Sequence, residues 1–395
     1  MPLHRDQKSP SFSAARIPAL DGIRGLAILM VLIWHLFLAP AQVEPGTLFA
    51  YVTRLGGLLW TGVDLFFVLS GFLVAGVLLD HRDRPDYYHF FYVRRFFRIV
   101  PAYGLILLCF FVLQLTVDLA ERPEWKWLLA DSPPPAYCLT FLQNLWVVDR
   151  GSHGGNFLAP TWSLCVEEQF YLLLPILIRK LTLRQLTWVM GGTFVSALMI
   201  KWLILRSGLP AVAIWVLLPA RLDAFMVGAA VAVIVRNSDF RASHAGRFLG
   251  LAVAAVVVGV FALLTLVPGR DALLGYGGAS LLAGTFGVLV WWASVAQTGI
   301  MIRVLEFKPL RWLGTISYLA YLIHQPINGG LHALFLKQSP RIGSLPELGL
   351  TVAALCATLL LCWLSWQYFE SPMIHLGRRL TQVKGGAVDV QQKHS

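Results

Sequence analysis

Long apolar runs alternate with short polar intervals along this chain, at the spacing expected of helices that cross a bilayer. The first run covers about residues 18–39, the second about 57–79, the third about 98–118 and the fourth about 162–180. Further runs fall near 185–205, 211–235, 247–267, 273–295, 311–336 and 347–369. Each is close to the roughly 20 residues a helix needs to cross a hydrocarbon core of about 30 Å. The pattern predicts an all-α, polytopic integral membrane protein of about ten transmembrane helices. A membrane domain is expected over 18–372, between polar tails at 1–17 and 373–395.

Two polar intervals stand out. HRDRPDYYHFFYVRRFFR is dense in arginine and aromatics and predicts an interfacial helix ahead of the third span. The interval 119–160 is the longest, and its one semi-apolar patch, CLTFLQNLWVV, is too short to cross, so a structured loop is expected. Thr161 and Ser163 stand where a cap for the fourth span belongs. Ala39-Pro40-Ala41 resembles a signal-peptide cleavage site, but the first run is long and contains Trp34 and His35, which favours a retained span.

The chain is 57% hydrophobic and 13% charged, with a formal charge of +11. Its basic residues collect in the N-terminal tail, in 80–98 and around Arg179, Arg241, Lys308 and Lys384. With an even number of spans these all fall on one side, so the positive-inside tendency predicts cytoplasmic termini and an outer 119–160 loop. The charge therefore reports topology, and no nucleic-acid partner is expected. The five cysteines are scattered and give neither a disulfide framework nor a metal spacing.

Against this apolar background the polar residues within spans mark candidate chemistry. Arg24 and His35 are three turns apart on the first span, on one face and roughly 16 Å apart along the axis. Asp21 can pair with Arg24. The topology places His35, Asp64 and Glu167 in one outer layer. A histidine with a carboxylate partner is equipped to take a proton from a hydroxyl, which makes these three the catalytic candidates. Each also has a structural reading: Glu167 and Glu168 complement a helix dipole, Asp64 caps a span, and His35 is an interfacial histidine. On the other side Arg24, Arg94, Arg95 and Arg98 suit a polyanionic ligand through forked hydrogen bonds, or else anionic lipid. Arg221 and Asp223 are two apart and so require partners on separate helices. With Ser163, Asp21 and His324 they are the supporting candidates. The two halves show no repeat, which weakens a transporter built from inverted repeats.

Taken in order, LDGIRGLAILMVLIWH, GVDLFFVLSGFL, YVRRFFRIVPAY, PTWSLCVEEQFYLLLP, ISYLAYLIHQP and YFESP resemble the successive signatures of the acyltransferase 3 family of bacterial membrane O-acyltransferases, from about Pro18 to Pro372. The resemblance implies a multi-pass enzyme of the bacterial cytoplasmic (inner) membrane. Such an enzyme moves an acyl group, commonly acetyl, from cytoplasmic acyl-CoA to a hydroxyl of a sugar-containing acceptor: a surface polysaccharide, a glycolipid or a glycosylated small molecule. Acyl-CoA is then the co-substrate, membrane lipid the surroundings, and no metal is expected. The family's arginine and histidine separated by ten residues correspond to Arg24 and His35, its arginine pair to Arg95 and Arg98, and its glutamate to Glu167. Cys165 replaces a serine common in the family. The chain also ends soon after the tenth run, without the outer esterase-like domain that some members carry, so a separate protein is expected to supply such a domain where transfer needs one. The competing class is a proton-coupled transporter or flippase for a glycan or lipid-linked intermediate, with His35, Asp64 and Glu167 as the relay.

Overall fold

The computed structural model describes residues 17–44, 46–237, 246–266, 274–296 and 298–382. The N-terminal tail to residue 16, Arg241, and the end of the C-terminal tail with Lys384 lie outside the described residues. Among those described there is no β-strand, and ten helices of 16 to 30 residues follow the ten predicted runs: α1 (Pro18–Ile33), α2 (Gly62–Asp80), α3 (Tyr87–Thr116), α4 (Thr161–Lys180), α5 (Leu183–Ser207), α6 (Leu218–Asn237), α7 (Gly246–Leu266), α8 (Ala279–Val295), α9 (Lys308–Leu331) and α10 (Leu345–Ser365). A shorter helix, α11 (Ser371–Leu380), follows. Seven helical stretches among the described residues are long and apolar enough to cross a membrane, and Ala252–Leu263 and Ala279–Val295 are shorter apolar helices.

Three local expectations change. The second crossing begins earlier than its apolar run, because a helix at Leu48–Leu55 and a 3-10 turn at Gly56–Thr61 lead straight into α2. Asp64 therefore sits within a continuous stretch, Ala50–Asp80, and not at its outer end. The arginine-rich segment is not a separate interfacial helix: its residues 81–86 form a turn and 87–98 open α3, a single helix of 30 residues. Thr161 and Ser163 do not cap α4, since their hydroxyls donate backwards to the carbonyls of Leu158 (2.6 Å) and Pro160 (3.1 Å). The interval 119–160 forms a loop with short helices such as Gln143–Arg150.

Small residues set two close helix crossings, as packing inside a bilayer requires. A Cβ on Gly25 would stand 1.9 Å from the carbonyl oxygen of Leu310, and one on Gly314 would stand 2.0 Å from that of Asp21, so α1 and α9 touch backbone to backbone. Gly228 of α6 and Gly71 of α2 do the same, at 1.9 Å from the Val68 oxygen and 2.1 Å from the Phe225 oxygen. At its amino end α11 continues α10 through a π-helical turn at Trp366–Glu370. Its far end meets α3, where Arg94 Nε donates to Thr381 Oγ1 at 2.8 Å.

Charges buried between α2, α5, α6 and α8 are paired. Arg221 donates to Asp64, and Lys201 to Asp223, with Ser280 completing the second group at 2.9 Å from Lys201 and 2.5 Å from Asp223. Arg221 and Asp223 thus turn to different helices. Removing one member of a buried pair leaves an uncompensated charge, at a cost of about 3–5 kcal/mol. Asp64→Ala is expected to lower the melting temperature and the folded yield in detergent sharply, and Asp64→Leu combined with Arg221→Met to recover most of the loss. A single variant as stable as the double would count against this pairing.

Candidate active site

Two cavities lie side by side in the bundle. The first, about 110 Å³, brings together Arg24 of α1, Ser70 of α2, Arg95 and Arg98 of α3, Glu167 and Tyr171 of α4, and Tyr318 of α9. The second, about 580 Å³, is lined by Trp34 and His35 beyond the end of α1, by Trp60, Trp162 and Trp215, and by His153 and Gln325. Val63 and Tyr321 line both. One helix therefore serves both spaces: Arg24 faces the arginine cavity and His35 the tryptophan cavity.

In the arginine cavity the polar groups are wired together. Tyr171 Oη donates to Glu167, sits 2.6 Å from Ser70 Oγ, and accepts from Arg95 Nη1 at 3.4 Å. The Arg95 guanidinium also lies 4.5 Å from the centre of the Tyr171 ring. Ser163 and Tyr321 share a hydrogen bond of 2.7 Å at the junction with the second cavity. Asp21, one turn before Arg24, and Glu370, at the end of the π-turn after α10, lie within electrostatic range of Arg24 and Arg98 respectively. Arg94 does not line the cavity. It is one turn nearer the start of α3 than Arg98, and its guanidinium stacks 4.0 Å over Phe90 and is held by Thr381.

His35 lies in a π-helical turn, Trp34–Leu38, a local widening of the helix that often marks functional positions. Its Nδ1 is 3.3 Å from Nε2 of His324, with the ring centres 5.1 Å apart. His324 Nδ1 is in turn 3.1 Å from the carbonyl oxygen of Ala320, which can only accept. For neutral rings one proton arrangement satisfies both contacts. His324 carries its proton on Nδ1 and accepts at Nε2, so His35 donates from Nδ1 and keeps a lone pair on Nε2. The carboxylates offered by the sequence as partners of His35 are engaged elsewhere, Asp64 with Arg221 and Glu167 with Tyr171. The orienting partner of His35 is the supporting candidate His324, brought from 289 positions away.

Asp64, Arg221 and Asp223 line neither cavity, because burial commits them to one another and to Lys201. Cys165 is buried and donates to Gln143, away from both spaces. Sequence reasoning missed Ser70, Tyr171, Tyr318 and Tyr321 in the first cavity and His153, Trp60, Trp162 and Trp215 in the second. One signal was present: Ser163, Glu167 and Tyr171 recur every four residues and so form a polar stripe along α4. Among the described residues no group of three or more His, Cys, Asp or Glu side chains is placed to hold a metal ion.

The fold and these cavities define an all-α, polytopic integral membrane protein with a basic and an aromatic chamber meeting inside one bundle. The profile of the family described as "Acyltransferase domain" matches residues 17–367, and the chain belongs to that family. It is 27% identical over 394 residues to the peptidoglycan O-acetyltransferase OatA of Listeria monocytogenes, covering 93% of this chain and 57% of that protein. It is 26% identical over 381 residues to the O-acetyltransferase OatA of Staphylococcus aureus, covering 92% of this chain and 58% of that one. The chain thus spans a little over half the length of these relatives. No solved structure matches it.

Proposed function

We propose that this protein is a membrane O-acetyltransferase that draws acetyl from cytoplasmic acetyl-CoA through the arginine cavity and passes it to a glycan hydroxyl in the tryptophan cavity. The observation that carries this reading is the His35–His324 pair. It leaves an unprotonated imidazole nitrogen at the wall of the aromatic chamber, next to the Val63–Tyr321 boundary with the basic one. His35 Nε2 takes the proton of the acceptor hydroxyl as its oxygen attacks the thioester carbonyl. The carbon–sulfur bond breaks, the CoA thiolate leaves, and the proton on His35 is returned to it, so that free CoA thiol and the acetyl ester are the products.

Volume decides how the donor sits. A cavity of about 110 Å³ is far smaller than the roughly 300–1,000 Å³ of a site enclosing a whole ligand of cofactor size, so it takes the thioester end of the pantetheine arm. The nucleotide stays at the basic face of the membrane, with Arg95 and Arg98 towards its phosphates and Arg24 towards the arm. Both termini are cytoplasmic in this arrangement, the acyltransferase domain is taken as 18–372, and the tryptophan cavity faces the opposite side, where peptidoglycan, the substrate in the name of the Listeria relative, would be met. The relay reading of a transporter has less support, since His35, Asp64 and Glu167 each bond to a different partner.

The test is release of CoA thiol from acetyl-CoA by the purified protein in lipid nanodiscs, with muramidase-solubilised peptidoglycan strands as acceptor and mass spectrometry of the strands. Acetyl-CoA-dependent thiol release with a matching gain of acetyl ester is expected. Neither thiol release nor ester gain, from protein that melts cooperatively, would overturn the assignment.

A further inference from the structure

Two residues that line the tryptophan cavity each carry a buried side-chain atom with no hydrogen-bond partner within the protein: Nδ1 of His153 and Oε1 of Gln325. Both side chains line the same chamber as His35. Gln325 is only 7% exposed, so its amide oxygen has been withdrawn from solvent without a partner, a cost that a folded protein seldom retains without use. His153 lies in the loop before α4, where burial holds its imidazole below the ordinary histidine range and therefore neutral near pH 7. A neutral imidazole and a carboxamide each both donate and accept hydrogen bonds, as a sugar hydroxyl does.

The loop that presents His153 is built tightly. Gly154 has φ +67°, and a Cβ there would stand 2.0 Å from the carbonyl oxygen of Asp131. Two residues on, Asn156 is fixed by its backbone N–H, 2.9 Å from the carbonyl oxygen of Trp127, and by its side-chain amide, 3.2 Å from the same oxygen. The His153 ring is 6.1 Å from that of Trp162, and Trp60 and Trp215 meet edge to face at 4.9 Å and 86°. Aromatic faces with a few convergent hydrogen-bonding groups, in a chamber of about 580 Å³, match the apolar face and hydroxyl edge of a pyranose.

We propose that this chamber binds one pyranose ring of the acceptor glycan against its tryptophan walls, with Gln325 and His153 hydrogen-bonding to hydroxyls neighbouring the one that His35 deprotonates. The choice of reactive hydroxyl rests on the acetyltransferase reading; the binding of the ring does not. Trp125, Trp127 and Trp146, the more obvious aromatics of the 119–160 loop, do not line the chamber.

The test is saturation-transfer NMR with chitotetraose on the full chain in nanodiscs, with thiol release from acetyl-CoA measured on the same samples. Saturation of the sugar ring protons is expected with the unsubstituted protein, and Trp60→Leu should abolish it. His153→Ala and Gln325→Leu should each weaken the sugar affinity about tenfold, the loss of one well-made hydrogen bond. His153→Gln, which keeps a hydrogen-bonding group, should stay within about threefold, and the melting temperature of each variant reports folding. No saturation with the unsubstituted protein, or both truncated variants within about twofold of it, would overturn the pyranose site. Thiol release without sugar binding would overturn this site alone. Sugar binding with neither thiol release nor ester gain would support it while overturning the acetyltransferase reading.

Discussion

Replacing His35 with alanine is expected to lower acetyl-CoA-dependent transfer by about 10²–10⁴-fold, the contribution of a positioned general base, with the KM for acetyl-CoA unchanged. The rate falls because the lone pair on Nε2 is lost, and KM holds because His35 lines the acceptor chamber and not the arginine cavity. His324→Phe tests the mechanism behind that lone pair. It keeps a ring in place but removes the acceptor for His35 Nδ1–H, so the imidazole loses its enforced tautomer and orientation. A loss of about 10–100-fold is expected, smaller than for His35 itself because the base remains. Added imidazole should restore part of the His35→Ala activity and none of the His324→Phe activity. Full turnover in His35→Ala, measured by thiol release, would remove His35 from the reaction.

The second large effect is on donor binding. Arg95→Lys combined with Arg98→Lys retains both charges but loses the forks that hold phosphate through paired hydrogen bonds. The KM for acetyl-CoA should rise about 10–100-fold, with kcat changed far less. Arg94→Lys is the contrast. Its guanidinium is spent on Thr381 and Phe90, so KM should stay within about twofold of the unsubstituted value. Equal effects from the double variant and from Arg94→Lys would show a general basic surface in place of a shaped site. Titrating salt separates these cases further, because a diffuse surface is screened more strongly than a buried pair of guanidiniums.

These predictions depend on distinctions of unequal legibility. Arg24 and His35 lie on one helical face three turns apart, and that is a local consequence of helical pitch. Their assignment to different chambers is not local, because the boundary between those chambers is made by Val63 and Tyr321 from other helices. Arg94, Arg95 and Arg98 look equivalent as RRFFR. The docking of α11 separates them, taking Arg94 and leaving the other two on the cavity. Asp64 reads as an outer-layer carboxylate near His35, yet Arg221 holds it, because a charge this deeply buried requires the nearest opposite charge.

The sequence by itself determined the helical class, the order of the ten apolar runs, the polar residues set among them and the resemblance that led to the family. The helical class and the runs follow from hydropathy and from a period of 3.6 residues, which need no distant contact, and the resemblance rests on the motifs themselves. Helix packing settled which polar group answers which across the bundle: His324 for His35 and Arg221 for Asp64. It also decided which tryptophans form a chamber, and that His153 and Gln325, each with a buried polar atom left unpartnered, line it. The physical reason is that a buried polar group must find a partner, and helix packing determines which residues, far apart in the sequence, come within reach.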